Sequence, residues 1–486
     1  MLATPNIQDD QQKWYEGITR YQWIVLIIAS LGWIFDVFEG QIFVASMNEA
    51  MPSLEPTAVK GDIARYNNIA LGAFLLGGAL GGIVFGLISD RIGRTKTMSI
   101  TILFYSVFTC VSALSQTWWH MAIFRFLVAM GVGGEWAIAS AMVYEVFPRR
   151  ARAHVGGIFH ASSVFGTYLA VAVGYFVIGS DAIQTWANSL DIEWFDPQTI
   201  PWRLGFAIGV VPALLIIWIR LSLKEPENWQ RARAEAITRN GKKMGSLTEL
   251  FSSEFSRKTF VGVSLAAIGL ATFWGAHIYA KNVLKDAAIN EMVEASISGD
   301  QRHDMQDTLT GVTTDIKGSI REDILANSVS TIKGWEMFGM LITATGGGIG
   351  LIAFGPLCQR IGRVRTFIFF HSGGFISAMI LFNVPMSTTL LYAALPIFGF
   401  LTLGMHAGYA IYFPELFPTR IRGTGTGFCF NAGRIIAAPI LFSGGWLQKT
   451  FNTGPLQIAC GLSFLFLIGL LILLAAPETK DQAELA

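Results

Sequence analysis

The sequence predicts an all-α membrane protein, with twelve transmembrane helices in two pseudo-symmetric six-helix bundles. Three observations predict it. Of 486 residues, 52% are hydrophobic and only 14% are charged, against roughly 25% charged in a soluble domain. Apolar runs near twenty residues recur about twelve times, and ~20 residues rising 1.5 Å each cross a ~30 Å hydrocarbon core. A charged loop sequence also occurs twice. Gly86-Leu-Ile-Ser-Asp90-Arg91-Ile-Gly93-Arg94-Thr-Lys96 returns about 269 residues later as Gly355-Pro-Leu-Cys-Gln359-Arg360-Ile-Gly362-Arg363-Val-Arg365. A second pair keeps nearly that offset: Tyr144-Glu145-Val-Phe147-Pro148-Arg-Arg150-Ala-Arg152 against Pro414-Glu415-Leu-Phe417-Pro418-Thr-Arg420-Ile-Arg422. One half of the chain is therefore a diverged copy of the other. In a membrane protein such duplication points to a carrier with its site between the halves.

The first half, residues 1–222, holds helix 1 (21–46), helix 2 (67–89), helix 3 (97–115), helix 4 (119–143), helix 5 (154–179) and helix 6 (202–222). Each rests on an apolar run long enough to span. The glycines Gly77, Gly78, Gly81 and Gly82 of helix 2 read as a small-residue packing face rather than a phosphate loop. Residues 223–259 are a charged linker, with Arg231, Arg233, Arg239, Lys242 and Lys243 among its basic residues. The second half, residues 260–486, holds helix 7 (260–280), helix 8 (334–357), helix 9 (366–383), helix 10 (388–412), helix 11 (423–446) and helix 12 (455–476). Gly346, Gly347, Gly348 and Gly350 of helix 8 repeat the packing face of helix 2. Residues 281–332 form a polar, mildly acidic insertion whose weak periodicity predicts short helices, a hairpin over the mouth or a loop.

Basic residues set the orientation. Arg91, Arg94 and Lys96 follow helix 2; Arg149, Arg150 and Arg152 follow helix 4; the loops after helices 8 and 10 repeat the pattern. These loops and both termini are expected on the cytoplasmic side. The loop after helix 5 is acidic, with Asp181, Asp191, Glu193 and Asp196. Residues 1–20 are polar and include Asp9 and Asp10, which predicts no cleavable signal peptide. Cys110, Cys358, Cys429 and Cys460 have no metal-ligand spacing and read as small apolar residues. A net charge of +1 speaks against a nucleic-acid partner. With no P-loop, HExxH or GxSxG pattern, no enzyme signature and no cofactor is expected.

The duplicated loop resembles the signature between helices 2 and 3 of the major facilitator superfamily, over about residues 20–480 apart from the insertion. Trp33-Ile-Phe-Asp36-Val-Phe-Glu39 is similar to the helix-1 motif of sialate/lactate:proton symporters, although Asp is commoner than Glu39 there. Gly133-Gly134-Glu135-Trp136 resembles the same group and the metabolite:proton symporters. Asn431-Ala-Gly433-Arg434 is similar to aromatic-acid:proton symporters and organic-ion transporters. The resemblance implies a multi-pass carrier of the plasma (bacterial inner) membrane, monomeric in the lipid bilayer. It also implies that helices 1, 4, 7 and 10 line a central cavity.

An ionisable side chain in mid-membrane costs ~2.5–3.5 kcal/mol on insertion scales and so needs a reason. Asp36, Glu39 and Glu135 are the candidate proton carriers; Arg125, His277, His406 and Arg434 are the candidate substrate contacts. Asp36 and Glu39 are three apart and are expected on one helix face. By depth, Asp36 is about 22 Å from the cytoplasmic end and Arg125 about 9 Å from the outer one, so the two can pair. Gly433, Ala437 and Ala438 are expected to leave room for a ligand beside Arg434. Asp90, Arg91, Gly93, Arg94, Glu145, Arg360, Arg363 and Glu415 are expected to latch the halves in one state, with Gln359 in place of Asp90 in the second copy. The leading expectation is proton symport of a small organic anion. A sugar or organic-cation carrier, an antiporter and a transporter-like nutrient sensor are the alternatives. No metal site is expected.

Overall fold

The computed structural model describes residues 13–58, 60–190, 196–225, 230, 246–297, 310–451 and 453–480. All twelve predicted segments are helical. Helix 1 runs Arg20–Leu54, started by Thr19, whose side chain and backbone exchange hydrogen bonds with Gln22. Helix 2 is Lys60–Ile92, helix 3 Arg94–Ser112 and helix 4 Trp118–Val146. Helix 5 is built from Arg149–Ala161, Ser163–Val173 and a π turn, Gly174–Ile178. Pro212 lies in a 3₁₀ stretch, Ile208–Leu214, between the two α segments of helix 6, Ile200–Ala207 and Leu215–Ser222. Helix 8 is Val329–Ile361, helix 9 Arg363–Asn383 and helix 11 Thr419–Phe451. Helices 10 (Thr388–Leu403 and His406–Leu416) and 12 (Pro455–Ser463 and Leu465–Leu473) are interrupted. Among the described residues, nine stretches are long and apolar enough to cross a membrane.

Helix 7 differs from expectation. Ser256–Gly275 is followed by a 3₁₀ turn, His277–Tyr279, and then by Ala280–Ser296. The boundary at 281 therefore falls inside the helix. Lys281, Lys285, Asp286 and Asn290 make the run look polar, yet Lys281, Leu284, Ala288 and Ile289 form a buried face. Leu284 packs with Leu381, Leu391 and Phe398 of helices 9 and 10. The helix Thr310–Asn327 lies antiparallel against this outer extension through Ile289, Val293, Ile320 and Ile324. Lys317–Glu294 and Arg321–Asn290 contacts pin it from the side. The insertion is thus a helical hairpin. Most of the linker lies outside the described residues; Thr248–Phe251 forms a 3₁₀ turn just before helix 7.

The duplication sets the packing. Gly77 and Gly81 of helix 2 bring it against the backbone carbonyls of Phe126 and Met130 in helix 4. At the same offset, Gly346 and Gly350 of helix 8 lie against the carbonyls of Pro396 and Phe400 in helix 10. Lipid tails are as apolar as leucine, so helices in a bilayer associate through this kind of close backbone approach. The halves meet where helix 2 packs on helix 11 and helix 5 packs on helix 8, as the pseudo-two-fold relation requires. Large side chains such as Phe176, Leu214 and Leu474 are exposed on the outer wall, which lipid would cover.

A Cβ at Gly81 or Gly350 would strike a backbone carbonyl that cannot rotate away. Gly81→Val and Gly350→Val are each expected to cost about 1–3 kcal/mol. Thermal denaturation of the purified protein in detergent should show a midpoint several degrees lower. An unchanged midpoint in both would mean that these contacts do not set the helix spacing.

Candidate functional site

A cavity of about 110 Å³ lies between the halves. Helix 1 supplies Trp33, Asp36, Gln41 and Val44; helix 5 supplies His160 and Ser163; helix 7 supplies Phe273, Trp274 and His277. His406 of helix 10, Arg434 of helix 11, Lys281 of helix 7, Thr167 of helix 5 and Thr343 of helix 8 add further polar groups. The chain touches itself on both sides of this space. At the end carrying the basic loops, Tyr144 sits between Arg152 of its own half and Arg422 of the other, 4.2 and 4.8 Å from the guanidinium carbons. Beside the cavity, Trp136 stacks on Phe430 across the seam, centroids 4.1 Å apart.

Asp36 is 1% exposed, and among the described residues neither of its carboxylate oxygens has a partner at full hydrogen-bond geometry, although the Tyr105 hydroxyl lies beside it. Glu135, Arg434 and Glu39 are its charged neighbours. Arg434 reaches across the seam and lies against Gly78 of helix 2, with Gly133 of helix 4 within 2.7 Å of its Nη1 if a Cβ were added there. Its Nη1 donates a long hydrogen bond, 3.4 Å, to Asn431 in its own helix; among the described residues its Nε has no partner and it makes no ion pair. Phe430 carries the guanidinium on its face at 5.0 Å. The room beside Arg434 thus comes from Gly78 and Gly133. Gly433 packs on Ala266 and Ala267 instead, and Ala437 and Ala438 are fully buried.

The expected Asp36–Arg125 pair does not form. Arg125 Nη2 donates to the carbonyl of Glu39 at 2.6 Å, and the guanidinium lies over Phe74 at 4.6 Å. Asp36 and Glu39 also part company. Three residues turn a helix through about 300°, so the two side chains are offset by about 60°. Asp36 faces the cavity, whereas Glu39 turns toward Gly209 of helix 6. Glu135 accepts from Thr101 of helix 3 at 2.8 Å and presses on Gly32 of helix 1. Glu39, Glu135 and Arg125 therefore lie behind the cavity wall. Asp36, His277, His406 and Arg434 are brought together in it.

The histidines mark breaks in their helices. His277 opens the 3₁₀ turn of helix 7, and His406 starts the second segment of helix 10. Thr402 Oγ1 donates to the Phe398 carbonyl at 2.7 Å, so its 2.7 Å contact with His277 Nδ1 has the imidazole donating. His160 was not anticipated. It stands one residue before the end of the first segment of helix 5, its ring between Trp33 and Trp136. A histidine within an apolar run is the signal that could have found it.

The sequence profile of the Major Facilitator Superfamily matches residues 40–291. The chain belongs to the Major Facilitator Superfamily. It is similar to the probable 4-methylmuconolactone transporter of Cupriavidus pinatubonensis, 26% identical over 97% of this chain and 94% of that one. It is similar also to the sialic acid transporter NanX of Escherichia coli, 25% identical over 94% and 95% of the two chains. The cis,cis-muconate transport protein of Acinetobacter baylyi is 25% identical over 96% and 97%. Among solved structures, the proton:xylose symporter XylE superposes with a TM-score of 0.66 at 17% identity, covering 95% of this chain and 97% of that one, a likeness of fold alone. This facilitator is a multi-pass membrane transporter and not an enzyme.

At the basic end of the transporter, two motif pairs lie within the halves. Arg94 meets Glu145 at 3.8 Å, and Arg363 meets Glu415 through two hydrogen bonds of 3.0 and 2.8 Å. Across the seam, Arg94 approaches helix 11 at Gly423. The Asp90 and Arg91 side chains lie outside the described set, and Arg360 is exposed. Gly93 and Gly362 have φ of +114° and +97°, conformations that side chains rarely adopt. Each is followed by a helix N-terminus capped by a distant carboxylate. Glu225 accepts from the amides of Arg94 and Thr95 at 2.7 and 3.1 Å; Glu478 accepts from Arg363 and Val364 at 2.9 and 3.1 Å. These two glutamates, each beside a proline just after helix 6 or helix 12, escaped the sequence reading.

A carboxylate on a helix N-terminus satisfies free amides and the helix dipole together. Glu478→Gln is expected to destabilise the second half by about 1 kcal/mol. A denaturation midpoint lower by a few degrees in the purified variant would bear this out, and an unmoved one would mean that the cap is dispensable.

Proposed function

We propose that this transporter moves a small organic carboxylate by proton symport, with Asp36 carrying the proton and Arg434 holding the anion. The carrying observation is that an acidic side chain of one half and a basic side chain of the other meet in one buried cavity, unpaired. Charge left uncompensated in such a place is expensive. With the cavity empty, ionised Asp36 and Arg434 balance each other. With an anion bound, balance returns only when Asp36 is protonated. A proton without the anion leaves +1, and the anion without a proton leaves −1. The two balanced states are the ones able to change orientation cheaply, and alternation between them moves one proton with each monoanion.

The relatives named for 4-methylmuconolactone, cis,cis-muconate and sialic acid support an organic-acid cargo. The aromatic wall formed by Trp33, Phe74, Phe273, Trp274 and Phe430 suits a planar, conjugated acid, which would stack on it. The basic loops support a cytoplasmic Tyr144 end, with the opposite mouth facing outward in the bacterial inner membrane.

In proteoliposomes, Asp36→Asn is expected to abolish accumulation of cis,cis-muconate or benzoate driven by a pH gradient while sparing counterflow exchange. Uphill accumulation by the Asn variant would refute the assignment. Arg434→Lys keeps the charge and loses the two-pronged hydrogen bond, so half-saturation should rise about tenfold, ~1.4 kcal/mol. If the protein instead carries a neutral sugar, and does so normally with Arg434→Lys, the anion reading falls. Proton and monoanion together carry no net charge, so uptake of benzoate should not respond to an imposed membrane potential.

A further inference from the structure

A second buried ionic cluster, unused by that mechanism, lies toward the outer end. Lys281 of helix 7 and Lys333 and Glu336 of helix 8 are 2%, 4% and 3% exposed. Glu336 binds the Lys281 ammonium closely and the Lys333 ammonium at 3.4 Å. All three belong to the second half. From the first half, helix 1 supplies the Val44 carbonyl to Lys281 at 2.8 Å and the Ala45 carbonyl to Lys333 at 2.6 Å. Helix 1 also brings Glu49 to Lys333 at 2.8 Å and Asn48 to Glu336 at 3.0 Å.

The charges are divided unequally. The triad in the second half holds two cations and one anion, with Lys285 of helix 7 adding positive charge nearby; the first half holds the balancing anion, Glu49. Alternating access requires the halves to part at this end. When they part, the Lys281–Glu336 and Lys333–Glu336 contacts travel together, because all three side chains ride on one half. The lysines lose three acceptors, and the triad keeps one positive charge in excess. Lys281 also lines the central cavity that Asp36 and Arg434 reach. The unbalanced cation is therefore continuous with the path an anion must take.

We propose that the Lys281–Glu336–Lys333 triad is an anion-capture site at the outer mouth. It takes the substrate's carboxylate when the mouth is open, and is filled by Glu49 and the two helix-1 carbonyls when the mouth is closed. This rests on the organic-anion reading above. A carboxylate offers the lysines the same oxygen acceptors that helix 1 withdraws. Glu49 acts as a tethered competitor, so release of the captured anion inward and closure by Glu49 are one exchange of partners. A purely structural bridge would tie helices that stay together; here four contacts cross between bodies that must separate.

The test uses the full-length protein with its four native cysteines replaced by alanine and Gln41→Cys as a reporter in the cavity wall. Reaction with a water-soluble maleimide reads the opening of the mouth without any transport. Glu49→Gln should raise the labelling rate several-fold; a rate within twofold of the parent overturns the proposal. In Glu49→Gln protein, cis,cis-muconate or benzoate should slow labelling. Adding Lys281→Gln should raise the half-protecting concentration at least tenfold, and Lys281→Arg should restore it. Protection that survives Lys281→Gln but is lost with Arg434→Lys leaves the anion reading standing and sinks the capture site. Absence of protection by either acid, even with Arg434 and Lys281 intact, overturns both.

Discussion

The structure turns on one guanidinium buried at the seam between the halves. Arg434 crosses from the second half into the first between Gly78 and Gly133, and lies near Asp36 without reaching ion-pair distance. Two glycines on neighbouring helices are needed to admit it, which explains why helix 2 and helix 4 press so closely at that level. The same charge forces the rest of the site to be electrically balanced as a whole. A carboxylate or cation left alone in a dry seam is costly.

The two halves share a scaffold and divide the chemistry. Glycine contacts with backbone carbonyls, positive-φ glycines before helices 3 and 9 and Arg–Glu pairs recur near one offset, and each half caps its positive-φ turn with a glutamate from beyond its last helix. The ionisable groups of the core do not. Where helix 4 has Arg125 and Glu135, helix 10 has Leu395 and Met405; where helix 11 has Arg434, helix 5 has Phe165. Duplication supplied a hinge with equivalent ends, and later divergence put acid on one side of the seam and base on the other.

Much of this was legible in the sequence. Twelve helices, their duplication, and the inward-facing Asp36, Arg434, His277 and His406 follow from hydropathy and from the cost of buried charge. Direction within a helix was harder. Glu39 and Arg125 are as deeply buried as expected, but a rotation of about 60° takes Glu39 out of the cavity, and no local pattern encodes that. Lys281, Lys333 and Glu336 were hidden by position. They stand where apolar runs give way to polar sequence, and charge at a helix end ordinarily reads as solvated. Glu225 and Glu478 act on amides more than a hundred residues away in the chain, a relation only the fold can show.

Helix 7 has a mechanical consequence. From Lys281 at the cavity wall, one unbroken helix runs out to Ser296, about 22 Å at 1.5 Å per residue, and the hairpin partner stiffens its far end. The segment is a lever arm with its short end at the cation triad. A rocking of the second half by some 10° would sweep the tip through roughly 4 Å on that geometry. On the proposed orientation and mechanism, the insertion would display outside the bilayer, in magnified form, a displacement that begins around a single ammonium group inside it.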